Sequence, residues 1–132
     1  MHADLDKLRR SVSWFACVGA LAALVHYVVA VGLERYLNIQ PAWANIVGFV
    51  CAFPVSYIGH RTLSFPGLNQ AHQHTLPKFL SVAVFGFLAN QTLVLLSLRY
   101  TTLPFWLVLA IVMVVVAIST YLLSRYWAFS HT

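Results

Sequence analysis

Two arginines, each near the end of a long apolar run, are the side chains in this sequence best suited to bind an anion. Arg61 and Arg125 stay charged and present a planar fork of N–H donors that matches a phosphate group. Tyr57 and Tyr121 precede them by four residues, so on a helix each phenol lies one turn from its arginine. This spacing predicts two phosphate-binding positions. The alternative is that both arginines only anchor their helices at the membrane surface, with aromatic neighbours beside them.

Uncharged polar side chains inside the apolar runs form a second group of candidates. His26 lies near the middle of the first run, and the consecutive residues Asn90 and Gln91 lie near the middle of the third. Asn45 lies in the second run. Such groups are costly in lipid and usually face a bundle interior or cavity, so they predict a path for a polar head group. The alternative is that they hydrogen-bond between helices and hold them together. Secondary candidates near the two arginines are His60, Lys78 and Trp127.

Catalytic and metal chemistry have little support in this sequence. The carboxylates are Asp4, Asp6 and Glu34, all outside the central parts of the apolar runs, so paired acid and base groups are missing there. His72 and His74 are two residues apart but have no nearby Cys or acidic partner, which makes a poor zinc site. We therefore predict no catalytic residues, no metal site and no cofactor, and we expect the protein not to be an enzyme.

The sequence contains the same pattern twice, 64 residues apart. Tyr57-x-x-x-Arg61-x-x-x-Phe65 returns as Tyr121-x-x-x-Arg125-x-x-x-Phe129, and the same shift pairs Phe15 with Phe79 and Arg35 with Arg99. Matching arginines by chance is improbable, because the whole chain has only eight Lys and Arg residues. The pattern predicts an internal duplication, with one repeat over residues 13–65 and the other over residues 78–129.

The composition indicates that these repeats fold in a membrane. The chain is 61% hydrophobic and 8% charged, against roughly 25% charged residues in soluble domains. Four apolar runs, over about 13–33, 43–58, 79–98 and 105–123, approach the ~20 residues that cross a bilayer as a helix. We predict an all-α membrane protein of four transmembrane helices. Residues 1–12 form a cytoplasmic lead, 66–77 a cytoplasmic linker and 130–132 a tail.

The basic residues predict the orientation. With four crossings, the termini and the central linker share one side, and that side holds six of the eight basic residues: Lys7, Arg9, Arg10, Arg61, Lys78 and Arg125. Positive charge favours the cytoplasm, so both termini are predicted to be cytoplasmic. Each two-helix repeat then enters from the same side, which makes the repeats parallel and relates them by an axis along the membrane normal. The basic pI near 9.6 reflects this topology and contact with membrane lipids, not a nucleic-acid surface.

Several phrases in the chain together resemble the GtrA-like family. They are Phe15-x-x-Val18-Gly19, Ala44-Asn45-x-x-Gly48-Phe49, Ser56-Tyr57-x-x-x-Arg61-x-x-x-Phe65 and Thr120-Tyr121-x-x-Ser124-Arg125-x-Trp127-x-Phe129. The resemblance covers about Trp14 to Phe129. The chain departs from the family's usual pattern at Ala22 and His26 of the first run and at His60, where an Asn usually precedes the arginine.

The resemblance implies a function in lipid-linked sugar transport. Proteins of this kind are small four-helix translocases in the bacterial inner membrane, and their cargo is a monosaccharide on a polyprenyl phosphate such as undecaprenyl phosphate. Arg61 and Arg125 would then hold the phosphate, while Tyr57, Tyr121, His26, Asn45, Asn90 and Gln91 would line the path of the sugar. The transported sugar would serve the glycosylation of cell-surface polysaccharide.

Two other functions stay open at this point. The chain could be a non-transporting partner that recruits a membrane glycosyltransferase, since that role would use the same cytoplasmic surface. A small multidrug-type exporter has a similar size, but it normally needs a carboxylate inside the membrane, which this chain lacks unless His26 replaces it. In either transport role we expect a homodimer, because the many small residues of the first two runs allow close packing and four helices alone enclose little space.

Overall fold

The computed structural model of the protein describes residues 2–64 and 72–123, without the side chains of residues 72–75, 121 and 123. In this part the chain forms helix α1 (His2–Leu37), helix α2 (Pro41–Gly59), a π-helical segment (His60–Ser64), helix α3 (His72–Tyr100) and helix α4 (Phe105–Leu123). We call the π-helical segment the π-turn. None of the described residues forms a strand. The prediction of an all-α protein is therefore confirmed.

Three of the helical segments are long and apolar enough to cross a bilayer. They are His2–Leu37, Pro41–Ser64 and Leu76–Tyr100. The fourth apolar segment, Phe105–Thr120, is shorter than a full span within the described residues. The chain is thus a multi-pass membrane protein. The predicted fourth crossing is an apolar helix that falls short of spanning length in the described part.

Two helices begin earlier than the apolar runs predict. Residues 2–12 of the predicted lead continue without a break into α1, which has 36 residues and carries Asp4 in its first turn, where a negative charge complements the helix dipole. Helix α3 begins at His72, so residues 72–77 of the predicted linker are helical, including Pro77. Hydropathy identifies the part of a helix that lies in lipid. It does not show whether polar turns extend the helix beyond that part. Residues 66–71 of the linker lie outside the described part.

Short connections join the paired helices. Asn38 has a left-handed φ of 56° directly after α1, and the amide of Ile39 donates to the carbonyl of Leu33 at 3.2 Å. Pro41 then begins α2, where its missing N–H costs nothing, as predicted. The second connection runs over residues 101–104, and the amides of Leu107 and Val108 donate to the carbonyl of Pro104 at 3.2 and 3.0 Å. Pro104 therefore lies immediately before α4, one residue outside the helix it was predicted to begin.

The chain divides into two compact units, residues 1–84 and 85–132, each described by itself. In the first unit, the buried positions of α1 recur every four residues, and most of the side chains buried between α1 and α2 are small. The buried residues include Val18, Ala22, His26 and Ala30 on α1, and Ala44, Asn45, Gly48 and Ala52 on α2. A Cβ added at Gly48 would lie 2.7 Å from the carbonyl oxygen of His26. Glycine is thus required where the two backbones come this close.

In the second unit, buried residues recur at the repeat spacing. Asn90 and Val94 on α3 and Val108 on α4 are buried, and each lies 64 residues after a buried residue of the first unit: His26, Ala30 and Ala44. The correspondence does not extend to the N-terminal part of α3, which belongs to the first unit. Val18 is 5% exposed, whereas Val82, 64 residues later, is 73% exposed.

Candidate functional site

The π-turn joins directly to the C-terminal end of α2, and it carries Arg61. Its first amide, that of His60, is directed to the carbonyls of Ser56 and Tyr57 in the preceding helical turn. π-helical segments are rare and occur often at functional sites, because they redirect the side chains that follow them. The segment that carries the predicted phosphate ligand therefore departs from regular α-helix.

His60 is held in place by a hydrogen bond and by ring contacts. Its Nδ1 lies 2.9 Å from the hydroxyl oxygen of Ser64, and both side chains are buried. The imidazole stacks on the ring of Phe15 with 4.4 Å between centroids and 21° between planes. Phe79 of α3 lies 5.9 Å away on a tilted plane. The side chain of His60 is thus fixed by neighbours on α1, on α3 and within the π-turn.

Helix α1 packs closely along the same segment. The hydroxyl of Ser11 donates to the carbonyl of Ser64. A Cβ added at Gly59, the last residue of α2, would lie 2.6 Å from Cγ1 of Val18. The Ser11 hydroxyl thus gives the backbone carbonyl of Ser64 a partner on a neighbouring helix.

Arg61 and Tyr57 lie together, as their spacing predicts. Nη1 of Arg61 donates to the phenol oxygen of Tyr57 over 3.4 Å, a long hydrogen bond, and Arg61 as a residue is half-buried. Tyr57 itself is buried and lies in a row of aromatic rings. Its ring is parallel to that of Phe53 at 6.2 Å and edge-on to that of Phe79 at 5.5 Å. The arginine therefore sits at the edge of an aromatic surface.

A half-open pocket of about 450 Å³ lies beside this pair. Its lining comes from α2 and the π-turn: Phe53, Pro54, Tyr57, Ile58, Arg61 and Thr62. Pro54 cannot donate to the carbonyl of Val50, so the helix lacks one ladder bond at this wall. A cation and a phenol near apolar and aromatic groups suit a ligand that has both an anionic group and an apolar chain.

His26 and Asn45 form a second polar feature, deeper in the first unit. Nε2 of His26 lies 2.6 Å from Oδ1 of Asn45, and both side chains are buried between α1 and α2. Because Oδ1 accepts hydrogen bonds only, the ring carries its proton on Nε2. This is an interhelical hydrogen bond. As packed here, the two side chains face each other.

The other predicted site residues lie in different surroundings. Asn90 is buried and Gln91 is half-buried on α3, while Lys78 near the beginning of α3 is exposed. The side chain of Tyr121 and all of Arg125 and Trp127 lie outside the described residues. The second phosphate-binding position and its neighbours therefore remain predictions.

Sequence reasoning missed the groups that surround His60. Ser11 and Ser64 were not identified, because an isolated serine near the end of an apolar run is common and a π-turn has no residue pattern of its own. Phe15 and Phe79 did carry a signal, since they are equivalent positions of the two repeats. Both rings contact the same imidazole.

The comparison with protein families agrees with the resemblance seen in the sequence. The family described as GtrA/DPMS, transmembrane domain, matches residues 14–129. No curated protein and no solved structure gives a significant match to the chain. Since the family match covers nearly all of the sequence, the chain belongs to the GtrA/DPMS transmembrane-domain family.

Proposed function

We propose that the protein is a translocase that moves a polyprenyl-phosphate-linked monosaccharide from the cytoplasmic to the outer leaflet of the bacterial inner membrane. Its product would supply the glycosylation of cell-surface polysaccharide. The observation that carries the proposal is the Arg61–Tyr57 pair at the edge of a partly aromatic pocket. Membership of the GtrA/DPMS family supports it, because that family associates the chain with lipid-linked sugar processes.

In this proposal, Arg61 captures the lipid phosphate and the pocket takes the adjoining part of the apolar chain. A guanidinium binds a phosphate through two parallel hydrogen bonds, and the long bond to Tyr57 is easily exchanged for them. Arg125 does the same in the second repeat. The recurrence of buried positions after 64 residues supports two halves built alike.

The sugar then needs uncharged partners across the apolar region. We assign this role to Tyr57, Tyr121, His26, Asn45, Asn90 and Gln91. His26 and Asn45 satisfy each other between α1 and α2, so a sugar can use them only when their hydrogen bond opens. A sugar hydroxyl that bonds both groups replaces the partner that each one loses, which keeps the cost low in a region without water.

The test is transport by the purified protein in liposomes. A fluorescent polyprenyl-phosphate sugar is placed in one leaflet, and its appearance in the other is measured with a membrane-impermeant quencher. We expect the protein to accelerate transfer, and Arg61→Lys to slow it about tenfold because the bidentate geometry is lost. Arg35→Lys is the matched control, since Arg35 is exposed in the last turn of α1, away from the pocket.

The same experiment separates the proposal from its main alternative. A protein that folds in liposomes, does not accelerate transfer and co-purifies with a membrane glycosyltransferase is a recruitment partner. Equal transfer rates for Arg61→Lys and the unmodified protein would reduce this arginine to a membrane anchor.

A further inference from the structure

We propose that His60 is a positioning residue that sets the direction of the Arg61 side chain for phosphate capture. The inference rests on the proposed function and adds to it the residue that orients the Arg61 side chain. It is carried by the π-turn, by the hydrogen bond from His60 to Ser64 and by the ring stack on Phe15.

The π-turn needs support from outside itself. A π-helical segment turns through a smaller angle per residue than the ~100° of an α-helix, so a return to α geometry would redirect every side chain after Gly59. Contacts from neighbouring helices that fit the π-turn favour its geometry over the α-helical one. Arg61 is the second residue of this segment, and its direction depends on that choice.

The contacts of His60 and Ser64 supply that support. The hydrogen bond of 2.9 Å closes the segment from its first residue to its last, and it is buried. Phe15 on one helix and Phe79 on another leave the imidazole little freedom to rotate. Ser11 adds a hydrogen bond from α1 to the carbonyl of Ser64.

Arg61 lies between the two clamped residues and lines the pocket. It is half-buried and reaches Tyr57, whereas its neighbours His60 and Ser64 are buried and linked to each other. Bidentate recognition of phosphate depends on orientation more than simple charge attraction does. A loose π-turn would therefore leave the charge of Arg61 in place but lose the advantage of its fork.

The test is a double-mutant cycle between Ser64 and Arg61, read as binding of undecaprenyl phosphate in nanodiscs of zwitterionic lipid. Ser64→Ala removes the partner of His60 without changing Arg61. We expect it to weaken binding about fivefold, the effect of losing one hydrogen bond. Arg61→Lys should weaken binding about tenfold in the unmodified protein but at most about twofold in Ser64→Ala, because the fork is already misdirected.

Matched variants separate positioning from loss of stability. Ser81→Ala removes an exposed serine hydroxyl that bonds the carbonyl of Pro77 on α3, and it should leave binding unchanged. His60→Phe keeps a ring against Phe15 but cannot bond Ser64, so it should reproduce the loss seen with Ser64→Ala. Thermal unfolding of each variant shows whether it is folded at the temperature of the measurement.

Two outcomes would overturn the inference. The first leaves the proposed function intact, and the second contradicts it as well. If the fold-losses of binding caused by Ser64→Ala and Arg61→Lys multiply fully in the double variant, the two positions are not coupled. His60 and Ser64 then only stabilise the fold, while the proposed function stands. If the unmodified protein binds undecaprenyl phosphate no better than uncharged undecaprenol, the proposed phosphate capture fails as well.

Discussion

At the scale of residues, the first unit has two polar features with different surroundings: the His26–Asn45 pair and Arg61. His26 and Asn45 satisfy each other in a buried hydrogen bond, so their first effect is to hold α1 against α2. Arg61 instead is half-buried and makes a long hydrogen bond to Tyr57 beside a pocket. The deep pair therefore holds α1 to α2 and can serve a sugar only when its hydrogen bond opens, whereas the arginine already lies at a pocket.

The close contact at Gly48 gives a prediction at this scale. Gly48→Ala places a Cβ 2.7 Å from the carbonyl oxygen of His26 and 2.8 Å from its ring. Backbone does not move aside cheaply, so we expect a loss of about 1–3 kcal/mol in unfolding free energy. Thermal or denaturant unfolding in detergent measures it.

Gly32→Ala is the matched control for that substitution. Gly32 lies in α1, and a Cβ there would meet nothing within 4 Å. The added methyl should leave stability unchanged or raise it by up to about 1 kcal/mol through helix propensity. Equal behaviour of the two alanine variants would contradict the tight packing of α1 and α2.

At the scale of elements, hydropathy predicts each α-helix of the described residues but not where the helices begin and end. The four apolar runs correspond to α1–α4, since each contains a long stretch that must pair its own backbone in lipid. Hydropathy does not predict the polar first turns of α1 and α3, because the part of a helix that extends into water has no apolar run. Positions such as Pro41 were predictable because proline has a definite preference for the start of a helix.

The candidate site could be predicted only where it depends on local spacing. Tyr57 and Arg61 are four residues apart on one element, so their contact follows from helix geometry. The bond between His26 and Asn45 depends on how α1 is aligned with α2, and a single sequence contains no measure of that alignment. The contacts of the π-turn with Ser11, Phe15 and Phe79 join residues far apart in the sequence, so no local pattern predicts them.

The connection between α1 and α2 provides a prediction for a single element. Asn38 has a φ of 56°, where most side chains cost roughly 1–2 kcal/mol and Asn and Gly cost less. We expect Asn38→Gly to be tolerated and Asn38→Val to lose about 1–2 kcal/mol of stability. Unfolding in detergent would detect the difference.

Thr102→Val is the control for the valine substitution. Thr102 is exposed in the other connection, and Asn38 is the only non-glycine residue of the described part with a positive φ. The control should therefore change stability little. If Asn38→Val were as stable as Asn38→Gly, this connection would not hold the left-handed conformation.

At the scale of the whole molecule, the exposed surface suits lipid rather than water. Large apolar side chains such as Leu24, Val50, Phe85 and Val114 are more than half exposed on the four α-helices. The buried residues of the first helix pair are mostly small. Hydrocarbon therefore solvates most of the apolar side chains, and packing between helices depends on close contact rather than on a large hydrophobic core.

The topology of the chain can be tested by labelling single cysteines. Cys17 and Cys51 are free and exposed, so both are first replaced by Ala. Cysteines are then introduced at Asn69, in the segment between α2 and α3, and at Thr102. The charge distribution predicts that Asn69 is cytoplasmic. A membrane-impermeant maleimide should label the two positions from opposite sides, and labelling from the same side would contradict four crossings.

The expected homodimer is a separate prediction about the assembled protein. Two copies would provide more helices around a head group than one chain of this length. Native mass measurement from a gentle detergent should give twice the chain mass of 14.8 kDa. A monomer under these conditions that also transports at the full rate in liposomes would rule out a required dimer.

The short connection at Asn38 also has a consequence for the order in which the protein folds. Only residues 38–40 separate α1 from α2, so closing this helix pair costs little chain entropy. Two hydrogen bonds between the helices of this pair join Ser11 to Ser64 and His26 to Asn45. Neither bond requires a residue beyond Ser64. We expect the pair to assemble while the ribosome is still making the second half of the chain. Phe79 would arrive later and complete the cluster around His60.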